Sequence, residues 1–252
     1  MAFAEPPGWY VISLRPQGQH GALRRAAAAH GAGLIAVSPW RLELAADPAT
    51  RMALDAALAA PRVVFTSPMA VRAAARHRTL HCAPGQRWIA VGSGTAAVLR
   101  RAGVHEVDWP SRMDSEGVLG LPGLAALDGA EIGLVTAPEG RDLLALSLHQ
   151  RGARVLRADV YRRVPVPLST RVLYRLRQLD APACLALTSE AALRRTLAAL
   201  PDDLAPVLLG LPAAAASERL QRCALDLGMR QVDVAEGPLP AQLLAVMSRR
   251  FR

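Results

Sequence analysis

Val63-Val64-Phe65-Thr66-Ser67-Pro68-Met69-Ala70 and Cys184-Leu185-Ala186-Leu187-Thr188-Ser189-Glu190-Ala191-Ala192 are two copies of one phrase. In each, an apolar run breaks into a Thr-Ser pair and then into a stretch of helical composition, which reads as strand, hydroxyl-bearing turn and helix. Each copy is followed by a second apolar run ending in glycine, Trp88 to Gly92 and Val207 to Gly210, and by a helix closing at Gly103 or Gly228. A repeated unit of this kind predicts two similar lobes. Ligands of open α/β sheets sit beyond the carboxyl ends of the strands, so two such lobes facing each other would aim both turns into one cleft.

Outward from the repeat, Trp9 to Leu14 reads as a strand, 19–30 as a helix and Leu34 to Val37 as a strand. Ser38-Pro39-Trp40-Arg41-Leu42-Glu43 then carries the chain out of its first layer, because proline ends the strand. From 48 to 159, helices (49–59, 69–77, 94–102, 115–120, 140–151) alternate with apolar strands (62–66, 88–91, 104–108, 131–135, 153–158). Such alternation predicts a parallel sheet covered on both faces. Val160-Tyr161-Arg162-Arg163-Val164-Pro165-Val166-Pro167 reads as the return crossing. Beyond it lie helix 169–179, strand 183–187, helix 190–199, strand 206–209, helix 213–227, strand 231–234 and helix 239–250. Three elements before Pro39 are too few for a domain, so the N-terminal elements are expected to pack with the C-terminal ones. The expected domains are 1–38 with 165–252, and an inserted 42–160, with linkers 39–41 and 161–164. Two crossings would permit hinge motion.

At 252 residues the chain is long enough to bury two such cores, and with aromatics at only 4% they must be built from small and aliphatic side chains. The formal charge is +9, and none of the 30 basic residues is a lysine. Arginine in place of lysine fits the composition bias of a GC-rich genome. It also fits an anionic partner, since guanidinium grips carboxylate and phosphate with paired hydrogen bonds. The arginines are spread along the chain, which argues against nucleic acid as the partner. Cys82, Cys184 and Cys223 are odd in number and lack CxxC spacing, pointing to a reducing compartment, the cytoplasm. No charged leader with a long apolar run and no membrane-length apolar segment is seen, so no membrane association is expected.

The Thr-Ser turns place hydroxyls beside the N–H groups of a helix N-terminus, a ready site for carboxylate or phosphate; plain helix capping is the alternative. Gly92-Ser93-Gly94-Thr95-Ala96 follows a strand and opens a helix, but it lacks the lysine and glycine spacing of a phosphate loop. Pro138-Glu139-Gly140-Arg141 is a similar turn, whose arginine would meet an anion or pair on the surface. His77-Arg78-Thr79-Leu80-His81-Cys82 has metal-capable residues without a carboxylate or second cysteine to complete a site, so no metal is expected. There is no Gly-x-Ser-x-Gly elbow, no Ser/His/Asp pattern and no evident acid/base carboxylate pair. Any catalysis must ask little of side chains.

Together these motifs resemble the uroporphyrinogen-III synthase family. The resemblance rests on Ile12-Ser13-Leu14-Arg15-Pro16, Val64-Phe65-Thr66-Ser67-Pro68-Met69-Ala70-Val71 and Ile89-Ala90-Val91-Gly92-Ser93-Gly94-Thr95-Ala96. It continues through Ser115-Glu116-Gly117-Val118-Leu119, Gly140-Arg141, Arg151-Gly152-Ala153, Val160-Tyr161-Arg162-Arg163 and Leu187-Thr188-Ser189. The order of these short motifs along nearly the whole chain carries the weight.

The resemblance implies an α/β fold of two flavodoxin-like, doubly wound parallel-sheet domains joined by a two-stranded linker, the second inserted in the first. It also implies a monomeric cyclising lyase that uses no cofactor and no metal. Its substrate would be hydroxymethylbilane, a linear tetrapyrrole with eight carboxylates, which loses water and closes with the last pyrrole inverted through a spiro intermediate. Positioning is then the protein's main task, and helix N-termini with arginines would hold the carboxylates. Tyr161 matches the family's linker tyrosine and is the candidate for assisting loss of the hydroxyl, with a plain hinge aromatic as the alternative. The candidate substrate contacts are Arg15, Thr66, Ser67, Ser93, Thr95, Gly140, Arg141, Thr188, Ser189 and Ser217. One departure concerns the adjacent hydroxyl residues that often follow the family's late strand. Here Gly210-Leu211-Pro212 leads into Ala213 to Ala216, and Ser217 is the first hydroxyl. A two-lobed tetrapyrrole-binding or regulatory module without turnover is the rival reading.

Overall fold

The structure, a computed structural model, describes residues 7–112, 115–138 and 142–251, apart from the side chains of Ser115 and Asp142. The chain divides into two compact units: the residues up to Arg41 with those from Val164 onward, and Leu42–Arg163 between them.

In chain order the first elements are β1 (Trp9–Ser13), α1 (Gly21–Ala28), β2 (Ala32–Ala36) and β3 (Trp40–Leu44). Next come α2 (Pro48–Ala59), β4 (Arg62–Phe65), α3 (Pro68–His77), β5 (Arg87–Ala90), α4 (Ser93–Arg101) and α5 (Ser115–Leu119). They are followed by β6 (Glu131–Thr136), α6 (Asp142–Gln150), β7 (Arg154–Asp159) and β8 (Tyr161–Pro165). The rest are α7 (Thr170–Arg177), β9 (Ala183–Leu187), α8 (Glu190–Ala199), α9 (Ala205–Gly210), β10 (Ala213–Ala215), α10 (Glu218–Asp226), β11 (Val232–Val234) and α11 (Pro240–Met247).

The first unit holds a five-stranded sheet in the order β11-β10-β9-β1-β2, and the second a four-stranded sheet in the order β5-β4-β6-β7. All the pairings in both are parallel; Val11 lies opposite Leu34 and Cys184, and Val64 opposite Ile89 and Leu134. Numbered within each unit, the strands run 2-1-3-4-5 and 2-1-3-4, the flavodoxin-like winding. Strands covered on both faces must be apolar throughout, and β9 is buried at every position. The crossings β3 and β8 pair with each other. Flanking bonds from Ala45 N to Val160 O and from Val166 N to Pro39 O give an antiparallel register.

The cores follow the composition. Alanines fill the gaps between helices and sheets, and the few large rings pair up: Phe65 stacks on Trp88 at 5.2 Å and Trp9 tilts against Phe251 at 4.6 Å. The later helices α4 and α10 each close on a left-handed glycine, Gly103 at φ 94° and Gly228 at φ 98°.

Three sequence expectations are corrected. Residues 206–209 are not a strand but part of helix α9, which Pro206 opens by presetting φ where no N–H is needed. The late strand is Ala213–Ala215, at the head of the expected helix 213–227, and α10 begins only at Glu218. Three alanines favour a helix in isolation, but here all three are fully buried between β9 and β11, and tertiary packing overrides propensity. Residues 104–108 form no strand of their own; Asp108 makes a single bridge to Ile89.

Gly133 sits mid-strand in β6, where a Cβ would collide with the backbone of Ala57 at the end of α2. Gly133→Ala is expected to destabilise the second unit by about 1–3 kcal/mol, read as a lower urea midpoint with an unchanged slope.

Candidate functional site

Each sheet reverses its strand order beside its first strand, between β1 and β9 in the first unit and between β4 and β6 in the second. At such a point the outgoing connections diverge and leave a crevice at the carboxyl edge of the strands. The two copies of the repeated phrase end on β9 and on β4. Each Thr-Ser turn therefore borders its own unit's switch point, although β4 is the first strand of its sheet and β9 the third.

In the second unit the switch point is closed by hydroxyls. Thr66 Oγ1 donates to Thr136 Oγ1 at 2.9 Å, and both threonines are buried. Ser67 caps α3, its Oγ accepting from Ala70 N at 3.1 Å, and the same Oγ lies 3.1 Å from the hydroxyl of Tyr161. Tyr161, the first residue of β8, is only 6% exposed. Two separate elements thus bring a serine and a phenol together beside the end of β4. Ser93 and Thr95 open α4 at the end of the neighbouring β5, Ser93 exposed and Thr95 buried. Gly140 and Arg141 lie outside the described residues.

The carboxyl edge of the first sheet carries the other candidates. Ser189 caps α8, accepting from Ala192 N at 3.3 Å, with the half-buried Thr188 beside it. Ser217 follows β10 and caps α10, accepting from Leu220 N at 3.3 Å. With the late strand relocated to Ala213–Ala215, Ser217 stands two residues past its end, where Ser67 stands relative to β4 and Ser189 relative to β9. The relocation accounts for the distance of Ser217 from Gly210, while Ala216 stands where the other two turns carry threonine, so the adjacent hydroxyl is still missing. Capping uses each oxygen as an acceptor and leaves its O–H free to donate.

Arg15 follows β1. Its Nη2 donates to Pro238 O at 3.2 Å, while its Nε is buried with no hydrogen-bond partner among the described residues. Burial lowers its pKa from the ordinary arginine value.

A cluster absent from the sequence reading sits beside it. His20, 6% exposed, is held between Ser13 Oγ at 2.9 Å from Nδ1 and Ser38 Oγ at 2.8 Å from Nε2. Burial, with the charges of Arg24 and Arg15, pushes its pKa down to about 4, so the ring is neutral near pH 7. Thr136 was also missed. A hydroxyl ending an apolar strand, as Thr66 does, was the available signal; for His20 there was none, because its partners lie on separate elements.

Other reactive groups are accounted for. Burial pushes the Cys184 thiol up to about 12, so it is inert. His77 Nε2 bonds Ala45 O at 2.8 Å, and among the described residues no cluster of His, Cys, Asp or Glu could hold a metal ion. No described helix is long and apolar enough to cross a membrane.

Residues 16–245 match the family model described as uroporphyrinogen-III synthase HemD. Among solved structures, the chain is similar to a mutant uroporphyrinogen III synthase from the extremely thermophilic bacterium Thermus thermophilus. Identity is 20% and the TM-score 0.62, over 96% of this chain and 99% of that one. It is also similar to uroporphyrinogen-III synthetase from Helicobacter pylori, at 16% identity and a TM-score of 0.58, again over 96% and 99%.

The buried His20 has a pH signature. An unfolded histidine takes up its proton near pH 6.5, whereas the native ring does so only near 4. The unfolded state therefore binds more protons in that window, and stability falls as pH drops from 6.5 towards 4, by at most ~1.4 kcal/mol per pH unit from this group. Denaturant midpoints measured across that range should show the slope in the wild type and a shallower one in His20→Gln.

Proposed function

This chain belongs to the uroporphyrinogen-III synthase family, cyclising lyases of tetrapyrrole biosynthesis, and from that premise we propose that it closes hydroxymethylbilane with Tyr161 and Ser67 at the reacting end. The observation that carries the assignment of roles is the 3.1 Å contact between Ser67 Oγ and the Tyr161 hydroxyl at the carboxyl edge of β4.

The net reaction removes OH from the hydroxymethyl carbon and one hydrogen from the unsubstituted α carbon of the last pyrrole. The hydroxymethyl carbon bonds the substituted α carbon to give the spiro centre, and the methylene bond that centre already held breaks. The freed methylene bonds the unsubstituted α carbon, which then sheds its hydrogen. The lone pair of the terminal pyrrole nitrogen breaks the C–O bond, so the protein needs only to donate one proton to the departing oxygen. Tyr161 O–H donates that proton, and the water leaves. Ser67 O–H donates to the phenolic oxygen and stabilises the charge it acquires. The proton returns to Tyr161 when the ring-closed product sheds its hydrogen.

Selecting isomer III requires holding the chain with its last ring ready to invert, which is a matter of position more than of acid strength. The hydroxyl-capped N-termini of α3, α8 and α10 offer N–H and O–H donors to substrate carboxylates, and Ser93 and Thr95 at the start of α4 are assigned the same task by their motif. Arg15 supplies a permanent charge at the first sheet's edge, and Gly140-Arg141 is assigned the same task by its motif. Thr66 acts indirectly, since its hydroxyl is spent on Thr136. The protein is read as a monomer of the cytoplasm that binds neither nucleic acid nor membrane. The free state of Cys82, Cys184 and Cys223 supports a reducing compartment.

Purified protein given freshly made hydroxymethylbilane is expected to yield uroporphyrinogen III; formation of the symmetric isomer I alone overturns the proposal. Tyr161→Phe preserves the packing and removes the proton, and kcat is expected to fall about 100-fold. Undiminished turnover in that variant would take Tyr161 out of the chemical step.

A further inference from the structure

The first unit contains a cavity of about 470 Å³ at the carboxyl edge of β2, lined by His20, Arg24, Ser38, Val166, Pro167 and Ser169 among others. None of its lining residues belongs to the motifs that carry the family resemblance. We propose that this cavity is a binding subsite for one carboxylate arm of the polycarboxylate substrate, with Arg24 and Ser38 as its recognition groups, an inference that rests on the reading of the chain as a tetrapyrrole cyclase.

Three features define the ligand. The first is charge: Arg24 lies in the wall with no ion-pair partner among the described residues, and Arg15 stands near enough to act on His20, yet no carboxylate of the described residues lines the cavity. An unpaired guanidinium beside a neutral polar wall selects an anion.

The second is the hydrogen-bond chain through His20. A neutral imidazole has one donor and one acceptor nitrogen, so its two serine partners must play opposite parts. With Ser13 O–H donating to Nδ1 and Nε2–H donating to Ser38 Oγ, the Ser38 proton is left to point at a ligand. Ser13 is fully buried, so its hydroxyl fits this internal role, whereas Ser38 is half-buried at the cavity wall. An acceptor such as a carboxylate oxygen locks this tautomer; a cation finds no partner. Ser169 adds a second hydroxyl proton, because its oxygen already accepts from Val172 N at 3.4 Å.

The third is the apolar wall of Val166, Pro167 and Val172, which suits a short aliphatic stem. Phosphate would use the charge and the hydroxyls but not this wall. A carboxylate on a methylene stem uses all of it, and the acetate and propionate arms of the substrate are such groups.

The test uses the full chain with uroporphyrin III and its octamethyl ester as probes, in low salt. Binding is followed by porphyrin fluorescence anisotropy and by the ring resonances of the six histidines. The porphyrin ring current is expected to move the His20 resonances, the ester to leave them in place, and Arg24→Gln to weaken uroporphyrin III binding about tenfold or more. Ser38→Ala should weaken it in the same direction, and both variants should raise KM for hydroxymethylbilane. If Ser38→Ala fails to fold, the exposed Arg24 carries the test alone.

Unmoved His20 resonances, or an Arg24→Gln variant that binds as the wild type does, overturn the inference even where the wild type makes isomer III. A wild type that makes only isomer I, with His20 still responding to the acid and not to the ester, overturns the cyclase reading and leaves a polycarboxylate site in place.

Discussion

The reversal of strand order beside the first strand of each sheet is the constraint on which the rest of this protein depends. A parallel sheet must send every connection over one face or the other, and only where the direction of winding changes do two neighbouring connections part. Both sheets make that change once, between β1 and β9 and between β4 and β6. The helices that open beside those points carry the hydroxyls of Ser67 and Ser189, and those after the neighbouring strands β5 and β10 carry Ser93 and Ser217. Each sheet thus gathers helix N-termini at its own carboxyl edge, where the partial positive charge of a helix N-terminus favours an anion.

Capping and ligand binding do not compete at these positions. Ser67, Ser169, Ser189 and Ser217 each accept from the N–H three residues on, so the capping alternative for the two Thr-Ser turns is realised and two further serines do the same. Capping consumes a lone pair and leaves the proton. At Ser67 the same oxygen also reaches the Tyr161 hydroxyl, so there a structural cap is joined to a phenol. Arginine plays a similarly divided part. Most of the charges whose partners are resolved form exposed pairs with acids, such as Arg177 with Asp203 and Arg154 with Glu131, which contribute little to stability. Arg15 and Arg24 are among the arginines that no acid of the described residues pairs with, and they lie at the carboxyl edge of the first sheet.

Much of the fold was legible because its period and punctuation are local. Apolar runs of four or five residues ending in Thr-Ser, Gly-Ser or Ser-Pro mark β4, β5, β9 and β2, and the prolines around Pro39 and Pro165 mark the crossings. Where legibility failed, the deciding force was not local. Ala213–Ala215 looks helical on propensity and is a strand because it fills a buried slot between two others, while Pro206 starts a helix in a run apolar enough to pass for a strand. The hydroxyl beyond Gly210 looked displaced for the same reason, and it falls into line once the strand is placed correctly.

By itself the sequence determined the two-lobed α/β architecture, the capped turns and the family, because strand, turn and helix signals recur in order within short windows. The tertiary structure alone decided which side chains meet. Ser67 and Tyr161 are far apart in the chain and touch because the end of β4 and the start of β8 lie side by side; Ser13, His20 and Ser38 form a chain because three separate segments converge at one sheet edge. Sequence spacing carries no information about such contacts, since they are set by strand order and by the burial that drives His20 to its neutral form.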